Sequence, residues 1–183
     1  MLNSKSFEDK ILQEYFDIYP ENISKARLLL KKLNYKNDPF LLSSIAKSYF
    51  DEEKLRLAER YILKAFAIDY LNPKVLWVLA LVKWNYGQLD NAVFCFKEII
   101  RIGTRRVIKT GYNETIDIAL ARINDSKFQL YRLLINSSPA VAKRYLKEYE
   151  KGLENGYLTI MDFYYKQIHR PIEKTPTMPA GIY

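Results

Sequence analysis

Apolar residues recur along this chain at spacings of three and four, which places them on one side of an α-helix. Phe7, Ile11, Leu12, Tyr15 and Phe16 predict a helix over 6–19, stopped by Pro20. Ile23, Ala26, Leu29 and Leu30 predict a second over 22–33. Asp38-Pro39 is a helix start, an N-cap ahead of a proline in the first position, and Asn72-Pro73 repeats it. These signals open helices over 39–50 and 75–86. Each pairs across a short turn with another, over 55–69 and 89–102, and Gly87 lies in the second turn. The basic stretch 104–110 reads either as a loop or as a short helix. Asn113 then caps a helix through 124, with Ile116, Ile118, Ala119 and Ile123 as its apolar side. The stretches 126–135 and 138–153 predict another hairpin, with Ser138 capping, Pro139 starting, and Gly152 and Gly156 ending it. Residues 157–169 predict an aromatic-rich helix, and 171–183, with prolines at 171, 176 and 179, an extended tail.

The two middle hairpins repeat. Ala58 and Ala92 stand 34 positions apart, as do Pro39 and Pro73, Ile45 and Leu79, Ala46 and Ala80, and Ile62 and Phe96. A period of this length over two helix-like halves marks a helical repeat array. Short side chains at matched positions allow helix backbones to approach closely.

On these residues the chain resembles the tetratricopeptide repeat (TPR) family. Leu42, Ile45, Ala46 and Tyr49, with Ala58, Ile62 and Ala65, match one unit; Leu76, Leu79, Ala80, Gly87, Ala92 and Phe96 match the next. Some positions depart from the pattern: Ile99 stands where Ala65 stands, Lys83 replaces the aromatic at Tyr49, and Tyr70 and Thr104 occupy the usual proline position. The match covers 39–103, about a third of the chain. It implies an all-α fold of antiparallel helical hairpins stacked as a short TPR-like solenoid with irregular flanking helices. The expected organisation is a degenerate N-terminal hairpin over 1–37, two units over 38–103, C-terminal helices over 104–170 and the tail over 171–183.

The resemblance also implies a concave groove for a peptide. Trp77, Leu81 and Trp84 share one face of the second unit's first helix; Lys74 and Asn85 extend it, and Phe40, Lys47 and Phe50 are its counterparts in the first unit. Three placements stay open: the tryptophans are core, or they line a groove for a partner, or the chain's own tail 171–183 docks there. Some TPR proteins clamp a carboxylate with Lys and Asn on successive first helices. The matching positions here hold Ser43, Lys47 and Val78, so that clamp is not expected and the groove ligand is expected to be mainly apolar.

Charge changes the picture in one place. The chain carries 29 basic and 21 acidic side chains, a net charge of +8. Residues 73–110 alone hold seven basic and two acidic ones. Lys97, Arg101, Arg105, Arg106 and Lys109 form a basic patch, readable as a nucleic-acid or ribosome contact or as ordinary cations at a helix end. Small secretion chaperones of this fold are similar in size, but their acidic tendency does not match this charge.

Chemistry finds little footing. His169 is the only histidine, Cys95 reads as a buried thiol, and no phosphate-binding or nucleophile motif occurs. No catalytic residue, metal ligand or cofactor is expected. Asp51-Glu52-Glu53 reads as a turn. The N-terminus lacks a signal peptide and the longest apolar run is too short for a membrane span, so a cytoplasmic protein without membrane contact is expected. The expected function is protein–protein interaction, as a scaffold, adaptor or chaperone-like holder, with nucleic-acid association as the second class.

Overall fold

A computed structural model describes residues 4–19, 21–110 and 115–160, with the side chains of 4–6 and of residue 110 excepted. The fold is all-α, and no strand occurs among the described residues. Among the described residues the helices are α1 (Ser4–Ile18), α2 (Ile23–Leu30), α3 (Pro39–Asp51), α4 (Leu55–Ile68), α5 (Pro73–Asn85), α6 (Leu89–Thr110), α7 (Ile116–Leu134) and α8 (Pro139–Glu154), with a 3₁₀ turn over Tyr35–Asn37. Each helix packs on the next, and α3 also packs on α5. No described helix is long and apolar enough to cross a membrane.

The two helix starts form as their sequences dictate. Asp38 accepts a hydrogen bond from the Leu41 amide at 3.0 Å, and Asn72 from the Lys74 and Val75 amides at 3.1 and 3.3 Å. Each cap satisfies amides that have no partner within the helix. The 34-residue period reappears as backbone geometry in the turns. Glu53 and Gly87 both adopt a left-handed conformation, φ 59° and 72°. The bonds around them correspond: Glu53 and Gly87 amides donate to the Phe50 and Trp84 carbonyls, and Lys54 and Gln88 amides to those of Tyr49 and Lys83. Glycine holds that conformation without steric cost, whereas glutamate sits there with some strain.

The matched small residues are the buried crossings. Ala46, Ala58, Ala80 and Ala92 have no exposed surface, and the same holds for Ile62 and Phe96. They belong to one core that runs from α3 to Leu130 and Leu133 on α7. A second core joins α1 and α2 to α3 through Tyr15, Leu30, Leu41 and Ile45. Helix α3 therefore has one side in each core.

Three expectations are corrected. The helices expected over 113–124 and 126–135 are one helix, α7, whose start is capped by the Thr115 hydroxyl, 3.4 Å from the Ile118 amide; Asn113 lies outside the described residues. Gly152 does not end α8 but lies within it, and Gly156, at φ 80°, follows the C-terminus. Residues 157–159 are not helical and Ile160 is; residues 161–169 of the expected helix, and the tail 171–183, lie outside the described residues. The stretch 104–110 is helical and continues α6 beyond Gly103, whose φ of 69° and ψ of 173° interrupt it.

Candidate binding groove

Between the first helices of three successive hairpins lies a cavity of about 610 Å³. Helix α3 contributes Lys47 and Phe50; α5 contributes Lys74, Trp77, Val78, Leu81, Trp84 and Asn85; α7 contributes Arg122, Asp125, Gln129 and Arg132; Ile160 completes the lining. Seven of the eight expected groove residues therefore meet at one site. The eighth, Phe40, is not part of the lining but carries the Lys74 ammonium 3.7 Å above its ring.

Helix α5 supplies this floor because it is apolar on nearly every side. Leu76, Leu79 and Ala80 are buried in the core, while Trp77, Leu81 and Trp84 remain partly exposed. Trp77 meets Phe96 of α6 edge to face, with ring centroids 5.3 Å apart. A buried, fully packed Phe96 thus holds the indole from behind. Trp84 lies against the Arg132 guanidinium at 4.8 Å, a cation–π contact that joins α5 to α7.

Several polar lining groups are hydrogen-bonded or ion-paired within the protein. Lys74 donates to the Ser44 hydroxyl at 2.6 Å, Lys47 pairs with Asp51 one turn on, and Arg132 donates to Gln129 at 3.1 Å. Asp125 is 6% exposed and accepts the Ile160 amide at 2.8 Å. That bond brings the chain leaving α8 back across the groove wall.

The α7 wall was missed in the sequence. Arg122, Asp125, Gln129 and Arg132 follow one another at three, four and three positions, which is a single polar stripe on a continuous helix. Splitting that helix at Asn124–Ser126 hides the stripe. The three polar residues are instead buried within α7. Asn124 donates to the Tyr149 carbonyl at 3.1 Å, and the Ser126 hydroxyl to the Arg122 carbonyl at 2.8 Å.

The basic patch is divided. Arg101 forms an ion pair with Glu98 at 2.6 Å and Arg106 with Asp69 at 3.2 Å, while Lys97, Arg105 and Lys109 are exposed. Cys95 is buried, which pushes its thiol up to about 12. Among the described residues no group of three or more His, Cys, Asp or Glu side chains is placed to hold a metal ion.

No protein-family model, curated protein or solved structure matches the chain. The class that can be stated is thus that of the fold: an all-α protein whose successive helices pack in a repeat-like series.

Proposed function

We propose that this protein is a TPR-like interaction module, a scaffold, adaptor or chaperone-like holder, that binds a peptide or helical segment of a protein partner in the groove between α3, α5 and α7. One observation carries the reading. Trp77, Leu81 and Trp84 stay partly exposed on the floor of a 610 Å³ cavity although they neighbour a closed core. Large aromatic side chains held rigidly in a concave site are the kind that dominate binding energy, and concave, mainly apolar clefts are where ligands bind.

The uncharged environment-sensitive dye prodan provides a test independent of the partner. It should bind at one site per chain, with energy transfer from tryptophan, and Trp84→Ala or Leu81→Asn should weaken it by roughly tenfold, the size of one lost apolar contact. Dye binding that ignores both substitutions would contradict the reading.

A further inference from the structure

We propose that the resting occupant of this groove is the chain's own next segment, residues 161–168, bound as a short helix that a partner has to displace. The inference rests on the groove being a binding site and names what fills it when no partner is bound. The described chain already arrives there. Ile160 is buried, lines the cavity, and donates its amide to Asp125 on the α7 wall at 2.8 Å. The preceding Thr159 is buried as well. Successive Cα atoms are about 3.8 Å apart, so the segment that follows starts at the groove wall.

The sequence of that segment matches the site. Ile160, Tyr164 and Ile168 recur every four positions, and Met161, Phe163 and Tyr165 flank them on one arc of a helix. Asp162, Lys166 and His169 fall together on the opposite side. A helix that keeps Ile160 in the lining therefore turns Tyr164 and Ile168 toward Trp77, Leu81 and Trp84. From 160 to 168 such a helix is about 12 Å long, and the α5 lining from Lys74 to Asn85 runs about 16 Å. The segment fits along that floor without a linker.

Physical chemistry favours this occupant. Six of the nine residues 160–168 are Ile, Met, Phe or Tyr, and an apolar helix face of that density is costly to leave in water. The nearest apolar concavity is the one its first residue lines. A tethered segment also escapes most of the translational and rotational cost that a separate peptide bears, and a short tether gives an effective concentration on the order of millimolar. Modest intrinsic affinity is then enough to fill the site in most molecules. A partner binds the fraction left open, so its apparent affinity falls by that fraction.

The test is a prodan titration of the full chain and of Tyr164→Ser/Ile168→Ser, read by energy transfer from tryptophan. The variant should bind the dye roughly tenfold more tightly, as a site freed from about nine-tenths occupancy does. Asp162→Ser/Lys166→Ser, on the opposite side of the helix, should bind it as the native chain does. A synthetic peptide of residues 160–170 added to the first variant should restore the weaker dye binding, which also shows that variant to be folded. In the native chain the backbone amides of 164–168 should exchange slowly with solvent, and roughly tenfold faster once the dye saturates the groove. Equal dye affinity in the native chain and the first variant, or amide exchange that the dye leaves unchanged, would overturn the proposal; if Trp84→Ala still weakens the dye, the groove reading stands. Dye binding indifferent to Trp84→Ala in the first variant would remove both. Native dye affinity that rises on dilution of the protein would give the segment to a second copy and overturn the proposal likewise.

Discussion

Glu52 ends the first middle helix and holds the N-terminal hairpin against it. Its carboxylate accepts from both Arg27 terminal nitrogens at 2.9 and 3.1 Å, from Ser24 at 2.5 Å and from Lys54 at 2.8 Å. Arg27 is buried and lies 4.0 Å over the Tyr49 ring. These donors, Arg27 first, lower the Glu52 carboxyl from 4.5 to about 2. A depressed carboxylate adds stability that is complete above its unfolded value and is lost as the pH falls through its folded value. The native chain should therefore lose this contribution between about pH 4.5 and 2. Glu52→Gln should cost about 1–3 kcal/mol near neutral pH, because it leaves Arg27 buried with a poorer partner. Urea unfolding of both proteins should show the gap closing across that acid window. A gap that stays constant from pH 6 to about pH 2 would contradict the role given to this ion pair. The same reading assigns Asp51 a second tie, since it accepts both the Tyr19 hydroxyl and the Lys47 ammonium. Asp51 at the end of α3 and its C-cap Glu52 thus fasten Tyr19, just after α1, and Arg27 of α2 to α3.

At the level of elements, α7 and α8 approach closely at Gly152. A methyl group added at Gly152 would come within 2.3 Å of the Asn124 amide oxygen and 2.5 Å of its carbon. Asn124 is buried and bound to the Tyr149 carbonyl, so it has little room to turn away. Gly152→Ala should therefore destabilise by about 1–3 kcal/mol by overpacking, despite the ~1 kcal/mol that alanine gains in a helix. Asn124→Ala should make the second substitution much cheaper. Additive effects in thermal melts of the two singles and the double would show that the two helices do not meet there.

This crossing also shows where sequence patterns carry the fold and where they fail. Periodicity, small residues and caps specify α3 to α6, because Ala46, Ala58, Ala80 and Ala92 are small for the same reason that they are buried, the nearness of two backbones. Asn124-Asp125-Ser126 looks like a break, because polar residues inside a helix usually face water. Here each makes a tertiary or local bond whose partner is distant or invisible to periodicity, Tyr149 and Ile160 among them. The groove follows the same division. Its α3 and α5 residues were legible from the 34-residue register, while its α7 wall depended on a helix the local pattern cuts in two.

At the scale of the whole molecule, the described residues form a series of hairpins in which the first helices α3, α5 and α7 share one cavity. None of the three would form it alone: α5 provides the apolar floor, and the charged groups come from both neighbours as well. The chain has two tryptophans, and both line this cavity. Their two indole N–H groups therefore report on it directly in a proton–nitrogen NMR spectrum. On titration with prodan, both indole signals should shift together along one saturating curve, while amides near Arg105 and Lys109 stay in place. Indole signals that remain fixed while the dye binds, or shifts confined to the basic end of α6, would contradict the account.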